Sequence, residues 1–182
     1  MRFTAASVHR QIVTVLEAWG MPATPAATTA DVLVDTDLAG IDSHGVGLLM
    51  LYDSLHAAGR LRLDASPTVV TDAPAFSVLD GGHGLGHPVG VAAMDRAVAK
   101  ARACGVGVVS VRNSQHFGAA GHYARRAASS GLLAMVTSTT RHPAVSRPVA
   151  PRPGWARTRS RSPRPAVTAA SSSSTWRRAW WP

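Results

Sequence analysis

Apolar residues recur at helical spacing from residue 4 to residue 19, at Val8, Ile12, Val15, Leu16 and Trp19, and Gly20 ends the pattern. Thr24-Pro25 predicts a second helix start, with Thr as N-cap and Pro at the first helical position, running through Val32, Leu33 and Leu38 to Gly40. Asp42-Ser43-His44-Gly45 reads as a turn that caps a third helix, Val46 to about Ala58, closed by Gly59. The pattern then changes. Thr68–Val70 and Ala75–Asp80 read as short extended segments, with Asp72 and Pro74 between them, and the Gly-rich stretch 81–86 follows. A helix from Pro88 to about Ala103 carries Val91, Met94, Ala97, Val98 and Ala101 on one face. Val106–Val111 is a continuous apolar run, the pattern of a strand buried on both faces. Residues 119–130 read as helix and 132–137 as strand. The body is mixed α/β, with no internal repeat.

Charge divides the chain. Its 182 residues carry a formal net charge of +9, which would ordinarily point to nucleic acid or an anionic surface. Residues 1–145, however, hold 11 Lys+Arg against 10 Asp+Glu, whereas residues 146–182 hold eight Arg and no acid. Four of the five Trp also lie in that tail. The body is therefore nearly neutral, and a nucleic-acid-binding function would rest on the tail alone. Such binding would weaken with salt and vanish when residues 146–182 are deleted. The lone Cys104 excludes an intramolecular disulfide and a cysteine-based zinc site, and it reads as a buried or half-buried small apolar residue. No apolar run approaches the ~20 residues that span a bilayer, and no apolar leader follows the N-terminal charge. The expectation is a cytoplasmic protein with no membrane partner.

Candidate chemistry concentrates in loops. Asn113-Ser114-Gln115-His116-Phe117-Gly118-Ala119-Ala120-Gly121 leaves a strand and enters a helix, which is where α/β proteins place ligands. Gly118 and Gly121 permit close backbone approach, and the N–H groups from Ala119 to Gly121 are placed to hold an anion such as a pyrophosphate. His116 titrates near neutrality and suits proton transfer; the bland alternative is a hydrogen-bonded structural histidine. Ser43-His44 is a second polar pair, and Ser43 also reads simply as an N-cap. A hydrolase built from Ser114, His116 and Asp42 lacks the Gly-x-Ser-x-Gly elbow. His83, His87, His116, His122 and His142 show no metal-ligand spacing, and His122 and His142 read as surface or supporting residues. The stretch 81–86 is not a Gly-x-Gly-x-x-Gly fingerprint.

Three ordered blocks carry a resemblance: Asp42-Ser43-His44-Gly45-Val46; Asp80-Gly81-Gly82 with Gly84 and Gly86; and Val111-Arg112-Asn113-Ser114 with His116-Phe117-Gly118-Ala119-Ala120-Gly121 and Tyr123. Over about residues 3–145 the chain resembles the type-2 malate/L-lactate dehydrogenase family, NAD(P)-dependent reductases of 2-keto acids and cyclic imino acids that lack a Rossmann domain. The resemblance implies His116 as the acid/base, with Ser43 and His44 lining the same cleft near substrate and nicotinamide. It also implies Asn113 at the substrate, and Gly118, Ala119, Ala120, Gly121, Ser138 and Thr140 at NAD or NADP, together with His44. A 2-keto or 2-hydroxy acid is the implied small-molecule partner, and the intact family forms homodimers that share the active site. Departures are Leu48 where Arg is frequent, His87 where Gln is usual, and Thr140 where Asn is usual.

The resulting expectation is α/β: an N-terminal helical subdomain (1–67), then the start of a non-Rossmann NAD(P)-binding mixed α/β domain (68–145), truncated, with a disordered tail (146–182). Pro, Arg, Ser and Ala dominate that tail and no apolar periodicity survives in it. A shifted reading frame accounts for it. Written in codons whose first two bases are nearly fixed, with third bases free, Gly154 to Pro165 reads in the next frame as Leu-Gly-Thr-Asn-Pro-Leu-Ala-Phe-Ala-Ala-Pro. Ser174 to Pro182 reads as Val-Asp-Met-Ala-Thr-Ser-Val-Val-Ala. Both resemble the family's continuation, which places the slip close to Val145 and predicts a chain that is inactive as written.

Overall fold

Thr4 opens the first helix by accepting a hydrogen bond from the Ser7 N–H at 3.2 Å, so one orphan amide of α1 (Ala5–Ala18) is satisfied by a side chain. The structure, a computed structural model, describes residues 3–139 and 165–170. Ile12 and Leu16 of α1 bury against Ala26, Ala30 and Leu33 of α2 (Ala23–Leu38), with Tyr52 of α3 (Leu49–Ala57) and Met21, Leu61, Leu63 and Leu85 completing the cluster. Thr24 lies inside α2 rather than capping it: Pro22 is the N-cap, and it offers no side-chain bond. Thr29 and Thr36 are fully buried in α2, and each returns its hydroxyl to the carbonyl four residues back, at 2.8 and 2.6 Å. Two 3-10 turns, Asp42–His44 and Val46–Leu48, carry the chain into α3.

β1 (Thr68–Asp72) runs antiparallel to β2 (Phe76–Asp80), and β2 runs parallel to β3 (Val108–Arg112). The crossover between β2 and β3 is α4 (Gly86–Cys104), which Gly105 terminates at φ +79 with its N–H on the Ala101 carbonyl. Residues Phe76 to Asp80 face Val108 to Arg112 in register, so both strands end at one edge of the sheet. α5 (Ala120–Ala128) follows, then β4 (Ala134–Thr139). Leu85 belongs to the helical core, and Asp35 of α2 pairs with His122 and Arg125 of α5, so the helical segment and the α/β segment pack on each other.

Three expectations need correction. β3 is not buried on both faces: Val108 is 52% and Val111 37% exposed, because among the described residues β3 is an edge strand with α4 against it. Cys104 is exposed, since it ends α4 beside solvent rather than under the sheet. Within the tail expected to lack order, Pro165–Ala170 forms β5, antiparallel to β4 from Ala134↔Ala170 to Thr139↔Pro165. This segment is free of charge, and β4 offers it an unpaired edge. Residues 140–164 and 171–182, with Thr140 and His142 among them, lie outside the described residues. No helix among the described residues is long and apolar enough to cross a membrane.

Candidate active site

Parallel pairing of β2 and β3 delivers two loops to the same place, and Asp80 knots them together. Its carboxylate accepts from the Gly82 N–H at 2.9 Å, from Asn113 Nδ2 at 2.8 Å and from Arg112 Nε at 2.9 Å. These bonds hold the Asp80 carboxyl below its usual range, with the Gly82 amide the leading cause. Further bonds cross between the loops: Gly81 N–H to the Arg112 carbonyl, His83 N–H to Asn113, Gln115 N–H to Gly84 and Gly86 N–H to the His116 carbonyl. Gly86 is required here, because a Cβ would stand 2.5 Å from the Gln115 carbonyl oxygen. Asn113 adopts φ 51, a region an Asn tolerates, and its amide is engaged with Asp80.

His116 is thereby fixed at the carboxyl ends of the strands, where three other elements meet it. His44, from the first 3-10 turn, brings its ring to 5.4 Å between centroids. Tyr52, from α3, places Oη 2.8 Å from His116 Nδ1. His87, from the first turn of α4, lies 6.2 Å away ring to ring and 3.4 Å from the Tyr52 hydroxyl through Nε2. The Gly118 amide nitrogen lies 3.2 Å from His116 Nδ1. Burial, with the nearby His44 second, lowers the His116 pKa from the ordinary histidine value. Burial likewise lowers that of His87 to about 3, and it raises the Tyr52 phenol well above the ordinary tyrosine range.

Ser43 Oγ sits 2.8 Å from His44 Nδ1, so the expected pair forms as a bonded unit and Ser43 does not cap a helix. Gly45 makes the turn possible: a Cβ there would stand 1.5 Å from Asp37 Oδ1, and Asp37 accepts from the Val46 N–H at 3.0 Å. Tyr123 stacks on Phe117 and donates to its carbonyl, clamping the His116 loop to α5. Ser114 gives its hydroxyl to the Gln115 carbonyl, not to a histidine, which removes the hydrolase triad. Among the described residues, no group of three or more His, Cys, Asp or Glu is arranged to hold a metal ion.

The Gly118–Gly121 segment opens α5. Gly118 has φ +76, and a Cβ on it would press on the His87 ring and Val32 at 3.2 Å. Ala119 is the N-cap and makes no side-chain cap bond, while a Cβ on Gly121 would meet nothing nearer than the Arg125 guanidinium at 3.5 Å. An uncapped helix start with open space beside it fits an anionic group such as a cofactor phosphate. Ser138 lies half-buried on β4, opposite Ala166. The structure thus gathers His44 and His116 at one point and sets Gly118–Gly121 directly beyond it. Sequence reasoning passed over Tyr52, whose apolar helical context carried no sign that its hydroxyl would reach a histidine, and it noted His87 only as a histidine without metal-ligand spacing and as a departure from the family pattern.

A helical core docked on a mixed sheet, with His116 beyond the ends of its parallel strands and His44 brought to it by a 3-10 turn, is an α/β scaffold with its candidate site where the two parts meet. The chain belongs to the malate/L-lactate dehydrogenase family, whose model matches residues 3–158. That match runs past Val145, close to which the sequence reading places the slip of frame. Over 135 residues the chain is 41% identical to L-sulfolactate dehydrogenase of Methanocaldococcus jannaschii, covering 74% of this chain and 39% of that one. It is 36% identical over 126 residues to (2R)-3-sulfolactate dehydrogenase (NADP(+)) of Chromohalobacter salexigens, covering 69% and 38%. The solved malate dehydrogenase of Pyrococcus horikoshii OT3 superposes with a TM-score of 0.75 at 37% identity, over 78% of this chain and 40% of that one. The chain therefore spans about two fifths of the length of the relatives it matches.

Proposed function

We propose that residues 3–139 supply the proton-transfer machinery and part of the cofactor site of an NAD(P)-dependent 2-hydroxy-acid dehydrogenase. One observation carries the reading: a half-buried His116 with Nδ1 bonded to Tyr52 and near the Gly118 amide, its ring against His44, where two parallel strands end. The names of the relatives support a malate- or sulfolactate-like substrate, and one of them supports NADP.

Hydride addition to a ketone leaves an alkoxide that must gain a proton. A nicotinamide bound beside this cleft supplies the hydride. His116 exchanges the proton with the substrate oxygen at Nε2, while Nδ1 keeps a proton that the Tyr52 hydroxyl, 2.8 Å away, accepts. His44, braced by Ser43, lines the cleft opposite, and Asn113 is the further substrate contact in this reading. The N–H groups of Ala120 and Gly121 hold a cofactor phosphate, with Gly118 and Ala119 shaping the approach. Ser138 and Thr140 extend the cofactor site. Leu48 provides no cation, so a substrate carboxylate is matched elsewhere.

The test uses the gene restored to the frame that continues the family pattern. His116→Ala lowers 2-keto-acid reduction by about 10²–10⁴-fold while NAD(P)H binding, followed by nicotinamide fluorescence, persists. Unchanged turnover removes His116 from this role. Reduction needs the imidazolium, so its rate falls as pH rises through the lowered His116 pKa, and oxidation of the hydroxy acid rises through the same midpoint.

A further inference from the structure

Tyr123 is buried, and its ring is held from two sides. It stacks on Phe117 with 5.3 Å between centroids, and it fills the space left by Gly90 of α4, where a Cβ would stand 2.7 Å from the ring. Burial, with Tyr52 second, raises its phenol well above the ordinary tyrosine range, so the hydroxyl keeps its proton and donates it to the Phe117 carbonyl. That carbonyl and the Gly118 N–H are the two ends of one peptide unit. The unit is planar and trans, so its C=O and N–H point in opposite directions. The carbonyl end faces Tyr123, and the amide end lies 3.2 Å from His116 Nδ1.

We infer that Tyr123 is a positioning residue for His116: by holding the Phe117 carbonyl, its hydroxyl keeps the Gly118 N–H turned toward His116 Nδ1. Only the consequence for catalysis rests on the dehydrogenase reading. The positive end of a peptide dipole beside the ring disfavours a second proton on it. The His116 imidazolium therefore gives its Nε2 proton more readily to the substrate oxygen, while Nδ1 keeps its own.

The amide biases the ring and closes neither of its nitrogens, so the neutral and charged forms both remain within reach. Among the described residues the Tyr123 hydroxyl is the hydrogen-bond partner of the Phe117 carbonyl. Without it the carbonyl gains by turning to find another donor. A peptide that turns withdraws its N–H from Nδ1 and brings its oxygen end nearer, which favours the imidazolium. Gly118 permits either orientation, because φ +76 and its neighbours are open to glycine alone: a Cβ would press on the His87 ring and Val32 at 3.2 Å. The hydroxyl therefore makes the choice that the backbone leaves open. The titratable groups facing His116 are His44 from the first 3-10 turn, Tyr52 from α3 and His87 from α4. His122 of α5 lies edge-on to Tyr123 at 5.3 Å and pairs with Asp35 beside Arg125. Burial and the His44 charge disfavour the His116 imidazolium in the same sense as the amide.

The experiment is NMR on the full 182-residue chain, following the His116 ring nitrogens and the Gly118 amide through a pH titration without substrate or cofactor. In the wild-type chain the Gly118 amide signal shifts with the His116 midpoint; an amide that ignores the titration overturns the inference. Tyr123→Phe keeps the ring and its packing and removes the donor. In that variant the His116 midpoint rises by about 0.5–1 pH unit, which makes it a roughly three- to tenfold weaker acid. The Gly118 amide loses most of its response, and His87 stays uncharged at the His116 midpoint. A Tyr123 that serves stability alone lowers resistance to urea and moves neither signal, and that result overturns the inference. So does a His87 that becomes charged together with His116, the mark of a general loosening around both rings. If Tyr123→Phe does not fold, the wild-type response of the Gly118 amide decides. Failure of 2-keto-acid turnover bears on the proposed function alone, because none of these readouts involves turnover.

Discussion

His87, fully buried, makes the stability of the fold sensitive to acid. Its pKa falls from 6.5 in the unfolded chain to about 3 in the fold, so between those values the unfolded state binds the extra proton. Its stabilising contribution is complete above pH 6.5 and is lost as pH falls toward 3, at about 1.4 kcal/mol per pH unit at the steepest. Urea titrations across this window should show the slope, and His87→Gln should flatten it; an equal slope in both proteins contradicts the assignment. Gly45 makes a steric demand instead. Gly45→Ala drives a methyl into the Asp37 carboxylate, breaks its bond to the Val46 amide and displaces the Ser43–His44 turn. A loss of about 1–3 kcal/mol is expected, read by thermal or urea unfolding, together with a moved His44 signal.

At the scale of elements, the helices were legible in the sequence. Val8, Ile12 and Leu16 recur every four residues, and the glycines at 20, 40, 59 and 105 close their helices at positive φ. The strands were legible as segments but not as neighbours: the apolar run 106–111 says nothing about whether a second strand lies beyond it, and among the described residues β3 is an edge. The site was half legible. His116, Ser43 and His44 stand out in loops, whereas Tyr52 sits in an ordinary apolar helix and meets His116 only through packing. β5 was not legible, because nothing in its composition names a partner. Leu33→Ala in α2 should cost about 2–5 kcal/mol, since the side chain is wholly buried among α1, α2 and α3. Asp80→Ala should leave the secondary structure intact while the Gly82 and His83 amides lose protection from hydrogen exchange. Retained protection at both would show that the knot is dispensable. Its depressed pKa means the knot's contribution is present above the ordinary carboxylate range and is lost as pH falls through the lowered value.

For the whole molecule, the division of charge at residue 146 remains the informative boundary. We propose that residues 146–182 are read out of frame; resequencing codons 140–190 and beyond should reveal one base missed or added near codon 146, and a confirmed frame sinks the proposal. A homodimer belongs to the same proposal, supported by apolar side chains left in the open, Met50 at 80%, Leu133 at 97% and Met135 at 68% exposed. Light scattering of the frame-restored protein that gives a monomer mass at micromolar concentration would exclude it.

The scatter of His44, Tyr52, His87 and His116 over four elements also sets an order of events. The helices α1 to α3 make their contacts locally, whereas β2 cannot pair with β3 until all of α4 has crossed between them. Contacts of long sequence separation close late, because chain entropy is lost before they return any stabilisation. The cluster around His116 is thus among the last features the chain acquires, and in a refolding experiment the His116 signal would mark arrival at the native state rather than the start of collapse.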